Sequence, residues 1–177
     1  MSLSQLGYFQ KLRLEFIEYR LEYFSTVSRK DLMQQFEIGP ASASRDLAIY
    51  IESAPNNLTL KHETKQYFRS NSFVPLFRHE PQQVINSLIN GFTGITSEKM
   101  PQGNYVIDLR EIKDDCSIPT LGKISRHMHT DELIETNGES HIINNICLSE
   151  SGDLFVTTTN SRSGVEETRN IKDIIIS

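Results

Sequence analysis

The chain has 177 residues, of which 37% are hydrophobic and 23% charged, with a formal net charge of −5. This composition is typical of globular proteins and leaves little room for a largely disordered chain. No apolar run approaches the roughly 18 residues that a membrane helix needs, and the N-terminus lacks a signal-peptide pattern. We therefore expect a cytoplasmic protein without membrane contact. Cys116 and Cys147 lie far apart, which argues against a disulfide framework or a zinc site.

The charge is divided unevenly along the chain. Residues 1–77 carry nine Lys and Arg against eight acids, a balance of +1, whereas residues 78–177 carry nine against fifteen, a balance of −6. The two parts therefore differ in kind, and the division predicts two domains with different partners.

The first predicted helix runs from Gly7 to Phe24 and is apolar on two sides. One stripe comprises Phe9, Leu12, Phe16, Tyr19 and Tyr23, and the other comprises Leu14, Ile17, Leu21 and Phe24. Stripes at three- and four-residue spacing that cover most of a helix indicate burial on more than one side. The helix is either the central helix of its own core or packs against a second copy of the chain.

Two further helices follow, joined by a tight turn. Ser28 is a predicted N-cap that pairs with Asp31, as in a capping box, and this second helix ends near Phe36. Gly39 permits the turn, and Pro40 suits the first turn of the third helix. The predicted buried face of the third helix is Leu47, Tyr50, Ile51 and Ala54. The residues that point away from it are Ser42, Ser44, Arg45 and Ile49.

A hairpin completes this part of the chain. Residues 57–61 and 65–70 predict two short strands, because Leu58 and Leu60 alternate with polar residues and Tyr67 or Phe68 can face them across the pair. Three helices with a tight turn between the second and third, followed by a hairpin, are the pattern of a winged helix-turn-helix.

The third helix and the hairpin carry the side chains that DNA recognition requires. A helix in the major groove needs small residues near the base edges and a few donors for bases or phosphates. The predicted base-reading residues are Ala41, Ser42, Ser44 and Arg45. The predicted contacts to the DNA backbone are Arg29, Lys30, Lys61, His62 and Lys65. The alternative is that the small residues serve helix formation and that Arg45 and Asp46 form a solvated surface pair.

Three segments carry a resemblance to a known family. They are RLEFIEYRLEYF in the first helix, residues 43–47 (ASRDL) in the third, and residues 73–77 (FVPLF) after the hairpin. With them, residues 28–77 resemble the N-terminal region of the WYL-domain transcriptional repressors that accompany bacterial phage-defence systems. The resemblance implies that residues 1–77 are a DNA-binding domain and that the protein binds a palindromic operator in double-stranded DNA as a homodimer.

The second half is expected to be smaller and mixed α/β. Residues 78–118 read as a linker region, with a helix over 80–92 and a strand over 104–112. The predicted inward residues of that helix are Val84, Ile85, Leu88, Ile89 and Phe92. We expect the whole chain to be an α+β protein whose third part, residues 119–177, is a partial WYL-like or dimerisation domain.

The stretch 140–177 resembles the opening of a WYL domain, where a helix leads into a strand, a polar turn and a second strand. LFVTTTNSRSGVEETRNI fits the last three, but the family's W-Y-L tripeptide and later barrel strands have no counterpart. Either the ligand sensor is incomplete, so that the regulatory ligand is unknown and possibly lost, or this half serves dimerisation. The apolar end Ile174–Ile176 predicts a sheet edge that another chain covers.

One cluster raises an enzymatic alternative. His127, His129 and Asp131 have the alternate spacing that places three metal ligands on one side of a strand, as in some hydrolases. Thr130 and the residues after it look instead like a cap and first helical turn, which breaks the alternation, and no phosphate loop or nucleophile elbow is present. The sequence favours a DNA-binding regulator that is not an enzyme and holds no cofactor or metal. A protein-interaction module on the same scaffold and a metal hydrolase are the alternatives.

Overall fold

A computed structural model describes residues 3–96, 118–136 and 138–174. The chain forms two compact units, Met1–Tyr105 and Val106–Ser177. Among the described residues, no helix combines the length and the apolar character needed to cross a bilayer.

The first unit is a winged helix-turn-helix with one additional helix. Its helices are α1 (Tyr8–Phe24), α2 (Arg29–Phe36), α3 (Pro40–Ser53) and α4 (Pro81–Asn90), and its strands are β1 (Thr26–Val27), β2 (Leu58–Lys61) and β3 (Gln66–Arg69). The strands form an antiparallel sheet in the order β1-β3-β2. The three predicted helices and the predicted hairpin are confirmed. The sequence analysis missed β1, which makes the hairpin part of a three-stranded sheet.

Helix α1 is the central helix of this unit. It packs against α2, α3, β1 and β3, and both of its apolar stripes contribute to the core. Fully buried core side chains of the unit include Leu14, Ile17, Leu21, Tyr23, Val27, Leu32 and Tyr50. Burial on more than one side is thus accounted for within the unit itself. Phe9, at the beginning of the first stripe, is 59% exposed.

Residues 80–96, which the sequence analysis assigned to a linker region, pack on α1. The ring of Phe92 lies 5.0 Å from those of Phe16 and Tyr19, and the Tyr19 hydroxyl donates to the carbonyl of Ser87 at 3.0 Å. The predicted inward position of Ile89 is wrong, because its side chain is 44% exposed near the end of α4. The first unit therefore continues beyond residue 77.

The second unit is a helix on an antiparallel sheet. Helix α5 (Ile118–Thr130) packs against β5 (Glu139–Leu148), which lies between β4 (Ile134–Thr136) and β6 (Leu154–Asn160), and β7 (Glu166–Asn170) completes the order β4-β5-β6-β7. The buried apolar side chains are Leu121, Ile124, Ile134, Ile143, Leu154, Val156, Ile171 and Ile174.

Two expectations about the second half are corrected. Residues 139–148, which the resemblance placed in a helix, form strand β5, where the buried His141 and Ile143 alternate with exposed Ile142. The described sheet ends at β7, whose sequence EETRN is polar, and Ile174 is buried within its own unit, so the expected apolar edge is absent from these residues. The strand predicted over 104–112, Ile175 and Ile176 lie outside the described residues.

Candidate nucleic-acid interface

Local features of the chain define the start of α2 and the turn between α2 and α3. The Ser28 backbone amide donates to Asp31 Oδ2 at 2.6 Å and the Asp31 amide donates to Ser28 Oγ at 3.4 Å, which forms the predicted capping box at the start of α2. Helix α2 ends at Glu37, which has a left-handed conformation with φ of 52°. Gly39 then caps α3, and Pro40 occupies its first turn.

The N-terminal half of α3 presents a surface of small and polar residues. Ala43, Leu47 and Tyr50 face the core, while Ala41 and Arg45 on the other side are exposed. Ser42 and Ser44 are partly exposed beside them. This surface can approach another molecule closely, because its side chains are short and Arg45 can extend beyond them.

Arg45 is not held by its neighbour. Asp46 is 1% exposed and accepts from Arg13 Nε of α1 at 2.6 Å and from Gln10 at 3.3 Å. The alternative in which Arg45 and Asp46 form a solvated surface pair is therefore wrong. Within the residues that the structure describes, Arg45 makes no hydrogen bond or ion pair, so its guanidinium is available for an external acceptor.

The beginning of α2 contributes to the same surface. Arg29 and Lys30 are exposed in its first turn, and Arg29 Nη1 donates to Ser44 Oγ of α3 at 3.4 Å. The structure thus brings together the predicted residues of two helices, which we call the helix surface: Arg29, Lys30, Ala41, Ser42, Ser44 and Arg45. The amide groups at the start of α2 add partial positive charge there.

The remaining predicted residues lie on the hairpin and form a separate basic patch. The turn residues 62–65 are exposed, and Lys65 has a left-handed backbone with φ of 56°. Lys61 extends its ammonium over the ring of Phe68, 4.1 Å from the centroid. We call Lys61, His62 and Lys65 the wing patch. Glu63 lies in the same turn, and its negative charge partly offsets the positive charge of the wing patch.

Strand β1 connects the wing patch to the helix surface. Thr26 and Val27 pair with Phe68 and Tyr67 of β3, and the next residue is the N-cap of α2. The amide of Arg69 also donates to the carbonyl of Ser25 at 2.9 Å. The only local signal for β1 is a pair of β-branched residues between two helices, which is too short to identify a strand from sequence.

Buried polar side chains of α1 fix α3 and the segment after the wing. Glu18 is fully buried and accepts from the hydroxyl of Tyr50 at 2.9 Å and from the amides of Leu76 and Phe77 at 2.7 and 2.9 Å. His79 Nε2 lies 2.9 Å from Oε1 of the same Glu18 carboxylate. Burial, and next the charge of Glu18, raise the pKa of Tyr50, which keeps its phenol protonated as a donor. Sequence analysis missed this network.

The arrangement that the metal-hydrolase alternative required is absent. His127 and His129 lie in the last turn of α5, and Asp131 follows its end with φ of 54°. They do not alternate along a strand, and the helical turn expected from Thr130 onward is also wrong, because the helix ends there. In the described parts of the chain, no three His, Cys, Asp or Glu side chains are placed to hold a metal ion.

The first unit is similar to known transcriptional regulators. Residues 10–89 match the winged helix-turn-helix domain of the BrxR transcriptional regulator. The chain is 36% identical over 86 residues to the DNA-binding transcriptional repressor CapW of Stenotrophomonas maltophilia, which is 48% of this chain and 29% of that protein. It is 37% identical over 68 residues to CapW of Escherichia coli strain KTE188, covering 38% of this chain and 23% of the relative. Against CapW of Pseudomonas aeruginosa the identity is 28% over 98 residues, covering 55% and 32%. The chain thus spans about a third or less of these relatives.

Proposed function

We propose that this chain, whose residues 10–89 form a winged helix-turn-helix domain of the BrxR type, is a DNA-binding transcriptional repressor. The observation that carries the proposal is the helix surface, where an exposed, unpaired Arg45 stands among small residues at the beginning of α3. The CapW repressors to which it is similar are named as DNA-binding. The proposed role is non-enzymatic and cytoplasmic.

In this proposal the two surfaces have different tasks. The N-terminal half of α3 enters the major groove, where Arg45 pairs with a guanine and Ala41, Ser42 and Ser44 line the base edges. Arg29 and Lys30 contact the flanking phosphates, together with the wing patch of Lys61, His62 and Lys65. Phosphate contacts orient the domain without reading sequence, so specificity depends on α3.

We further infer that two copies bind a palindromic operator. Repressors with one reading helix per chain commonly obtain specificity by binding two half-sites related by the two-fold axis of a dimer. The acidic residues 78–177 are then kept away from the DNA, and the second unit is a WYL-like or dimerisation module.

The proposal is tested by fluorescence anisotropy with DNA from the protein's own promoter and with a scrambled duplex of equal length. We expect tighter binding to promoter DNA, and an affinity that falls steeply with salt, by about 0.9 in log–log slope for each phosphate contact. Binding that is absent at low salt would contradict the proposal and favour a protein-interaction role for the same scaffold.

Two substitutions separate base reading from phosphate contact. Arg45→Ala should lower promoter affinity by about 1–3 kcal/mol and leave scrambled DNA nearly unaffected, because a bidentate contact to one base is lost. Lys65→Ala should weaken both duplexes and reduce the salt slope by about one. Arg162→Ala, at an exposed turn of the second unit, is the control. Equal losses of Arg45→Ala on both duplexes would exclude the base-reading role.

A further inference from the structure

The first unit contains a cavity of about 370 Å³ that is lined by none of the residues of the helix surface. Three elements line it: α1, α2 and the end of α4 with the residues that follow. Four aromatic side chains, those of Phe16, Tyr19, Phe24 and Phe92, form part of its walls, and polar side chains form the rest. A cavity of this size with aromatic walls and a few polar groups has the general properties of a small-molecule site.

The cavity is also lined by a cation, Arg20, whose Nε has no hydrogen-bond acceptor in the described part of the chain. Arg20 of α1 lines it and stacks its guanidinium on Phe24, 4.4 Å from the ring centroid. Its Nε is buried and donates no hydrogen bond. Within the described residues, Arg20 forms no ion pair either. A buried donor without an acceptor is costly, so an acceptor that entered the cavity would gain a charge-assisted hydrogen bond.

The other polar groups define what kind of acceptor fits. Gln34 and Gln35 of α2 line the cavity and can accept or donate. Asp31 also lines it, with its Oδ2 accepting from Ser28. The negative charge of Asp31 disfavours a doubly charged anion in the cavity, whereas Arg20 favours an anion with a single charge. The aromatic walls suit a flat ring.

We propose that this cavity is an effector site for a small aromatic monocarboxylate, with its ring among Phe16, Tyr19 and Phe92 and its carboxylate on Arg20. Occupation is read out through α2, which forms one wall with Asp31, Gln34 and Gln35 and carries Arg29 and Lys30 at its start. Arg29 in turn donates to Ser44 of α3. A ligand that fits the open cavity stabilises the α2–α3 arrangement seen here, and this coupling to DNA affinity rests on the proposed function.

The site is tested with 2-naphthoate as the probe, on the full chain. The chain has no Trp, so naphthyl fluorescence can be excited where the protein does not absorb. We expect saturable binding with a Kd below about 1 mM. The neutral analogue 2-naphthamide and the more highly charged 2-naphthyl phosphate should each bind several-fold more weakly.

Substitution of the cation provides the decisive comparison. Arg20→Met keeps an apolar stem over Phe24 but removes every donor, and should weaken 2-naphthoate at least tenfold without changing 2-naphthamide. Lys11→Met, on the same helix but outside the cavity, is the matched control and should bind as the wild type does. Arg20→Lys, which retains the charge, should fall between them and serves in place of Arg20→Met if circular dichroism shows that variant to be unfolded.

Three results would overturn the site: no saturable binding, equal binding of 2-naphthoate and 2-naphthamide, or equal losses in Arg20→Met and Lys11→Met. The coupling is tested separately by promoter-DNA anisotropy, where saturating 2-naphthoate should raise the affinity at least threefold in the wild type and not in Arg20→Met. Unchanged affinity would remove the effector role. If the probe binds through Arg20 but no DNA binds at all, the proposed function fails while the site stands.

Discussion

Glu18 shows how a single buried charge holds distant parts of the first unit together. Its carboxylate accepts hydrogen bonds from Tyr50 in the C-terminal half of α3 and from the amides of Leu76 and Phe77. Asn57 extends the network by donating to the Tyr50 hydroxyl at 3.2 Å and to the carbonyl of Val74 at 2.8 Å. The reading helix and the segment that leaves the wing are therefore positioned by the same residue of α1.

Removing that carboxylate should be among the most destabilising single changes in this unit. Glu18→Ala leaves buried donors without an acceptor and should lower the free energy of unfolding by about 3–5 kcal/mol. Glu63→Ala, at the exposed hairpin turn, is the matched control and should change it by less than about 0.5 kcal/mol. Urea unfolding followed by circular dichroism provides the measurement. A loss below about 1 kcal/mol for Glu18→Ala would show that the network contributes little.

Glu15 and Glu22 repeat this behaviour and explain a limit of sequence reasoning at the residue scale. Glu15 accepts from the amide of Ile95 and Glu22 accepts from Arg69, and both are buried. Helical periodicity assigns acids between two apolar stripes to a solvated face. Their donors lie tens of residues further along the chain, so nothing near α1 in the sequence indicates burial.

At the scale of elements, the turn between α2 and α3 was predictable because all of its determinants are local. The Ser28 cap, Gly39 and Pro40 lie within a few residues of the helix ends that they define. Strand β5 could not be predicted from local sequence, because residues 139–148 form a strand through pairing with β4 and β6 on either side. The α3 residues of the helix surface could likewise be predicted from their spacing. That Arg45 is free to contact another molecule could not, because it depends on the ion pair between Arg13 of α1 and Asp46.

The C-terminal end of α2 carries an energetically unfavourable residue that a substitution can replace. Glu37 adopts a left-handed conformation, which is unfavourable for a residue with a side chain, and its charge opposes the helix dipole at that end. Glu37→Gly should therefore raise the free energy of unfolding by about 0.5–1 kcal/mol, net of the greater flexibility of glycine in the unfolded chain. Glu37→Ala, which removes the charge but keeps the Cβ atom that disfavours the left-handed conformation, is the control. Thermal unfolding should rank Gly above Ala, and the reverse order would mean that the turn is not strained.

At the scale of the whole molecule, the uneven charge and the two compact units agree. The near-neutral first part contains the DNA-binding candidate surfaces, and the acidic remainder ends in a sheet whose last described strand, β7, is polar. The resemblance covered residues 1–77 and implied the winged helix-turn-helix that the structure has there, whereas the topology of β4–β7 came from the structure. The relatives are about three times as long as the segments they share with this chain.

A dimer on a palindrome makes a geometric prediction for the intact protein. Two half-sites about one helical turn apart present the same face of the DNA, and inserting about 5 bp between them turns one half-site to the opposite face. Affinity for the promoter duplex should then fall at least tenfold. An insertion of about 10 bp returns both half-sites to the same face of the DNA and should restore part of the affinity. The same insertions outside the palindrome are the control and should have no effect.

Sedimentation equilibrium should give twice the mass of the 20.3 kDa chain. A monomer whose binding is indifferent to spacing would show that a single copy is the functional unit.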